Sequence, residues 1–332
     1  MIVFLLGLLV INACTSKIEA ESQAEQVSQD TLAIVDEKPS KPSFTIDNVK
    51  LEKELLYDQH TLEDVYPYKD TTRMFQWDKI KERLFFTDSI QLEKASWAIL
   101  QNYKNRNKEA PLIKVYHRNE YGLVADSFGV ARYQSIPLFA LSDSVTAERY
   151  ARDGSLVKYL GEEGSFVKVV TIVDGNEWLI PNRYVKQIGD TVSFRKVIAV
   201  DVTNQNIATL EKVNSTWYIR SMNPATTGLH KPPHQQETPL GLFVAQEKKP
   251  KMIYLVDGTT ETGGFAPHAT RFCNGGYIHG VPVNAPRTSL IEFSASLGTT
   301  PRSHMCVRNA TSHAKFIYDW VDIQQSLIYV IN

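Results

Sequence analysis

Residues 166–173, Phe-Val-Lys-Val-Val-Thr-Ile-Val, and residues 177–180, Glu-Trp-Leu-Ile, are joined by Asp174-Gly175-Asn176. Short runs of β-branched and aromatic residues suit a pleated, half-buried surface. Asp-Gly between two such runs favours a tight reversal. The pair reads as an antiparallel hairpin, which is marginal alone and needs more strands to bury its apolar face. The flanking chain supplies them. Glycines at 154, 161, 164 and 189 cut residues 111–190 into short pieces, which reads as a small β-barrel-like module. The alternation continues over 191–332, with strands expected at 197–202, 216–220, 252–256 and 327–331 and punctuation at Asn223-Pro224, Asp257-Gly258 and Gly263-Gly264. Residues 312–321 have helical character.

The stretch 46–110 is patterned differently. Trp77, Ile80 and Leu84 form a helical stripe, and Leu92, Ala95, Ile99 and Tyr103 fall at i, i+3, i+7 and i+11, which predicts a second one. The fold class is therefore mainly β with an α-containing N-terminal region.

Ahead of this, residues 2–11 form an apolar run of ten, too short to span a bilayer and of the length of a signal-peptide core. Asn12-Ala13-Cys14 follows, and a small residue directly before cysteine resembles a bacterial lipoprotein processing site. That resemblance implies a signal peptide at 1–13, lipidation of Cys14, membrane association through an N-terminal lipid anchor, and an exported, cell-envelope location. An ordinary secretory signal is the alternative. Residues 14–45 are polar and Pro-punctuated, and read as a flexible tether.

The chain of 332 residues has room for two or three domains, and its formal net charge of −1 gives no basic footprint for nucleic acid. No zinc spacing, phosphate-binding glycine loop or dinucleotide fingerprint is present, so no cofactor or metal is expected.

The residues that invite chemistry are near the end. Cys306 lies in Ser303-His304-Met305-Cys306-Val307-Arg308, and His279 lies upstream in Tyr277-Ile278-His279-Gly280. A thiol attacks as thiolate, and its free pKa of about 8.5 leaves little of that form at neutral pH. An imidazole can take the proton and a nearby arginine favours the anion. Spacing alone leaves open that Cys306 is a small buried apolar residue and His279 a structural one.

The surrounding pieces resemble the active-site signature of the L,D-transpeptidases, cysteine enzymes that cross-link peptidoglycan. His279-Gly280, then Ser303-His304 with Cys306 and Arg308, follow that family's order. Thr238-Pro239-Leu240-Gly241-Leu242-Phe243 is similar to its Thr-Pro-x-Gly-x-Phe segment, and residues 197–205 are similar to its opening strand and turn. Three departures stand out. Met305 replaces a glycine, the gap between His279 and Ser303 is long, which suggests an inserted loop at 284–302, and no Gly-Thr-Pro precedes the last strand. A weaker similarity, over residues 164–185, is to bacterial Src-homology-3-like modules, which leaves a wall-binding or orienting role and a structural spacer equally open.

The resemblance implies a β-sandwich catalytic domain at 191–332 acting on peptidoglycan stem peptides. Cys306 would be the nucleophile and His279 the base, oriented by the Gly280 carbonyl. The amides of Met305 and Cys306 would face the oxyanion, and Ser303 and His304 would hold the loop. Arg308 would meet a substrate carboxylate or the thiolate, with a structural salt bridge as its other reading. Tyr277 would wall the pocket or sit in the core. Residue 305 is expected at φ < 0 with its side chain at the pocket edge. A catalytically inactive peptidoglycan-binding lipoprotein is the alternative, with Met305 its main support. A papain-like protease fits worse, because there the cysteine precedes its histidine. Cys273 is either a buried free thiol or the partner of Cys306 in a disulfide.

Overall fold

The computed structural model of the chain describes residues 44–332. Segment 1–13, most of the tether and Cys14 lie outside the described residues. The elements used below are β1 (Lys50–Lys53), α1 (Trp77–Ser89), β2 (Ser96–Leu100), β3 (Leu156–Glu163), β4 (Phe166–Thr171), β5 (Glu177–Pro181), β6 (Val185–Gly189), β7 (Lys196–Asp201), β8 (Asn206–Val213), β9 (Thr216–Pro224), β10 (Gly241–Val244), β11 (Glu247–Leu255), β12 (Thr262–Cys273), β13 (Gly276–His279), β14 (Val283–Asn284), β15 (Val307–Arg308), α2 (Thr311–Trp320) and β16 (Ser326–Ile331). Among the described residues no helix is long and apolar enough to cross a membrane.

Two sheets form a sandwich. The first runs β1-β9-β8-β7-β16-β10, and the second runs β11-β12-β13-β15 with β14 also paired to β12. Between them pack Ile198 and Val200 of β7, Ile328 and Val330 of β16, Phe272, Ile278 and Val307 from the second sheet, and Ile317 of α2. The alternate residues Val197, Ala199, Leu327, Tyr329 and Ile331 face the other way. There they meet Val49, Phe75, and Ile80 and Leu84 of α1. Burial on both faces is why β7 and β16 read as unbroken apolar runs rather than alternating ones. The N-terminal stretch thus supplies the outer cover of the sandwich, and β1 adds a parallel edge strand against β9.

A separate five-stranded sheet runs β5-β4-β3-β2-β6. The Asp174-Gly175 reversal joins β4 and β5 as an antiparallel pair. This sheet corrects one expectation. Residues 92–103 do not form a helix, because 96–100 is strand β2. Trp97 and Ile99 face the core under α1, while Ala98 and Leu100 face the core of the five-stranded sheet. A strand buried on both sides carries consecutive apolar residues, and such a run contains i, i+3 pairs whichever element it forms. Leu92, the first member of the supposed stripe, is exposed.

Candidate active site

Parallel pairing of β13 with β15 sets Ile278 opposite Val307 and His279 opposite Arg308. Cys306 directly precedes β15, so this ladder brings the two distant sequence pieces together. His279, Cys306 and Arg308 line one cavity of about 910 Å³. Its walls are Met252, Tyr254 and Leu255 at the end of β11, and Ile291, Phe293 and Leu297 from the long 284–302 segment. That segment is tied down. Thr311 N–H donates to the Glu292 carbonyl at 2.8 Å, Ser312 N–H donates to the Glu292 carboxylate at 3.1 Å, and the His60 ring lies 4.7 Å from that of Phe293.

His279 is buried, and its Nδ1 lies 2.6 Å from the Gly280 carbonyl. A carbonyl only accepts, so Nδ1 carries the proton and Nε2 is left as the basic nitrogen. Position 280 has no room for a side chain, since a Cβ there would come within 2.7 Å of Thr311 Oγ1 and 2.9 Å of Pro267 Cγ. The Cys306 thiol is buried and donates to the Gly275 carbonyl at 3.5 Å. Burial pushes it up to about 11, partly offset by the Tyr277 amide and the Arg308 charge. Burial lowers His279 to about 4, against the Gly280 bond and aided by Arg308. Both groups are therefore neutral at rest.

The loop before Cys306 is held from several sides. Ser303 Oγ donates to the Cys306 carbonyl, and Ser303 N–H donates to Thr227 O at 3.1 Å. His304 Nε2 lies 2.9 Å from Asp257 Oδ2, linking the loop to the tip of the β11–β12 hairpin. Thr238 Oγ1 donates to the Met305 carbonyl at 2.8 Å. Among the described residues no acceptor engages the amides of Met305 and Cys306. Met305 itself departs from expectation. Its φ is +79°, and its side chain turns away from the His279 cavity, against Gly276 and a second cavity beside Thr238. The turn geometry of the loop prevails over the preference of an L-residue for φ < 0.

Arg308 reaches into the cavity half-buried, with Nε buried and unpartnered and no carboxylate in ion-pair range among the described residues. The salt-bridge reading of Arg308 is therefore not what is found. Tyr277 is fully buried behind the sulfur, packed on Cys306, Ala269 and Met252. Its hydroxyl bonds Tyr103 at 3.2 Å and accepts from Lys249 at 3.1 Å. Cys273 and Cys306 are both free thiols, and Cys273 is fully buried, which raises its pKa strongly. Among the described residues no three His, Cys, Asp or Glu side chains cluster as a metal site requires.

Sequence reasoning missed two contributors. The bond of Thr238 to the loop was hidden within a motif, and Gly275 acts through its carbonyl and leaves no side-chain signal.

A buried thiol and an Nδ1-tethered histidine thus line one cleft of the β-sandwich. Residues 195–330 match the YkuD family, described as the L,D-transpeptidase catalytic domain. The resemblance seen in the motifs is thus a match to that domain, over the C-terminal part of the chain. No curated protein matches the chain. Similar solved structures include an L,D-transpeptidase from Mycobacterium smegmatis, at 17% identity over 53% of this chain and 82% of that one, TM-score 0.35. L,D-transpeptidase 3 from Mycobacterium tuberculosis, in complex with a faropenem-derived adduct, is 16% identical over 48% of this chain and 75% of that one, TM-score 0.33. A fused Zn-dependent amidase/peptidase/peptidoglycan-binding domain-containing protein from Clostridium acetobutylicum is 20% identical over 41% of this chain, TM-score 0.30. The matched part spans about half of that protein, 51%.

Proposed function

We propose that the chain is an L,D-transpeptidase that acts on peptidoglycan stem peptides through Cys306. The observation that carries this reading is the meeting of Cys306 and Nδ1-tethered His279 in one cavity. In the proposed reaction Nε2 of His279 takes the thiol proton as sulfur attacks the carbonyl carbon of the third stem residue, the L-centre of a diamino acid. The carbonyl oxygen becomes an oxyanion facing the unengaged amides of Met305 and Cys306. Collapse expels the terminal D-alanine, whose amine receives the proton from His279, and leaves a thioester on Cys306. An amine of a second stem then forms a 3-3 cross-link, or water completes an L,D-carboxypeptidase reaction.

The neutral resting pair fits this order of events. The ion pair is disfavoured until substrate supplies a carbonyl to receive the sulfur's electrons, so the thiol is shielded from stray electrophiles between turnovers. Arg308, with no carboxylate partner among the described residues, is the group we assign to a substrate carboxylate.

The test uses purified muropeptides with tetrapeptide stems. Wild type is expected to release D-alanine and to accumulate an adduct with a carbapenem, read by intact mass. Cys306→Ala is expected to do neither. A folded Cys306→Ala variant that still turns over stems sinks the assignment, and a wild type that binds stems without acylation points to an inactive wall-binding protein. The proposal extends to an exported, lipid-anchored protein modified at Cys14. Cys14→Ser is expected to leave the membrane fraction, and a variant that still pellets with membranes refutes this part alone.

A further inference from the structure

The thiol of Cys306 donates to a carbonyl in the two-residue turn between β12 and β13, Asn274-Gly275. What holds that turn comes from the other sheet. Asp153, in the turn leading into β3, is fully buried. Its Oδ2 accepts from the Asn274 amide at 2.9 Å, from Arg271 Nη1 at 2.5 Å and from Gln246 Nε2 at 2.9 Å. Its Oδ1 accepts from the Asn102 amide at 2.8 Å. Gly154 brings this turn into contact with the sandwich. Its φ is +89°, and a Cβ there would come within 1.9 Å of the Phe272 carbonyl. That same carbonyl accepts from Gln246 Nε2 at 2.8 Å.

We infer that Asp153 is a positioning residue for Cys306, fixing the Asn274-Gly275 turn so that the Gly275 carbonyl stays against the thiol. The five-stranded sheet is then part of the machinery that sets the nucleophile's reactivity. The inference rests on the proposed role of Cys306.

The two backbone groups facing the sulfur are held differently. The Tyr277 amide, which favours the thiolate, belongs to β13 and is fixed by ladders to β12 and β15. The Gly275 carbonyl, which favours the neutral thiol, lies in the turn and is fixed through its neighbour's bond to Asp153. Releasing the turn therefore removes the group that favours the thiol and keeps the one that favours the thiolate. The charged or titratable groups around the sulfur, Arg308 on β15 and Tyr277 and His279 on β13, stay in place. Around Asp153 the paired cation is Arg271, itself near Glu247 and under the Tyr103 ring.

Asp153→Asn is diagnostic, because an amide has one acceptor oxygen and one donor NH₂. In either orientation a donor faces a donor, at Asn102 or at the Asn274 side. The experiment is alkylation of the full chain by iodoacetamide across pH, read as the modified Cys306 peptide by mass spectrometry. Asp153→Asn is expected to lower the alkylation midpoint by about half a pH unit or more. Asp88→Asn is the control for general loosening. Asp88 bonds Lys212 and Trp217 in the core beneath α1, and its variant is expected to leave the midpoint unchanged. An unshifted midpoint in folded Asp153→Asn, or equal shifts in both variants, overturns the inference. If Asp153→Asn does not fold, Arg271→Lys takes its place, because it keeps the charge on Asp153 and gives up the bond to Gln246. It is expected to move the midpoint less in the same direction, and no movement again overturns the inference. With tetrapeptide stems Asp153→Asn is expected to reduce kcat and spare KM. A wild type with no turnover refutes the proposed reaction, while the alkylation result still decides the role of Asp153.

Discussion

Thr238 Oγ1 donates to the Met305 carbonyl at 2.8 Å and accepts from the Gly228 amide at 2.8 Å. One buried hydroxyl therefore satisfies two backbone groups and fixes the loop ahead of the nucleophile. Thr238→Val keeps the shape and strands both partners. It is expected to lower stability by about 2–6 kcal/mol, since each buried unpaired group costs about 1–3. Thr238→Ser is expected to keep most of the stability and the carbapenem acylation rate. Urea midpoints and intact-mass time courses check both.

Met305 sits at φ +79° with its side chain buried. An L-residue there pays about 1–2 kcal/mol of backbone strain, while truncating a buried Met costs roughly 2–5 kcal/mol. Met305→Ala loses the packing and keeps the strain, whereas Met305→Gly loses the packing and relieves it. The glycine variant is therefore expected to be the more stable of the two, which reverses the usual order. Thermal midpoints of the pair, measured side by side, decide it.

Among the described residues Arg308 gains no carboxylate for its desolvation. Arg308→Met is expected to raise stability by about 1 kcal/mol, as a buried unpartnered polar group is removed. The same change is expected to weaken stem-peptide acylation more than tenfold. A fall in both quantities would show that the guanidinium is structural.

Acid stability follows from two buried imidazoles. Burial holds His279 at about 4 and His313 at about 3, against an ordinary value near 6.5. Between those values and about 6.5 the unfolded chain binds more protons than the folded one, so stability rises with pH through that window. It is present in full above about 6.5 and is lost as pH falls toward 4 and then 3. The loss is on the order of a few kcal/mol for each group. Urea midpoints from pH 7 to 3.5 measure it, and His313→Phe, placed between Tyr57 and Phe316, is expected to flatten the slope.

The parts legible in the sequence share a physical trait: their signal is local. The β4–β5 reversal, the α1 stripe at Trp77, Ile80 and Leu84, and the unbroken runs of β7 and β16 are each decided by neighbours in the chain. The Cys306 and His279 segments were legible as a pattern, though only the β13–β15 ladder brings them together. What failed was decided at long range. Strand β2 owes its form to a pair of cores on opposite faces, and Met305 owes its φ to a loop tied to Thr238. The role proposed for Asp153 is invisible locally, because its partners Gln246, Arg271 and Asn274 lie far along the chain.

Strand β16 lies between β7 and the edge strand β10 of the first sheet, although it comes after both in the chain. Without residues 326–331 in place, the sheet has a gap beside its edge strand. The single strand β10 then has no ladder to join it to the four strands β1-β9-β8-β7. Closing the sheet therefore depends on pairing Lys196 with Ser326, and contacts of such long sequence separation close slowly.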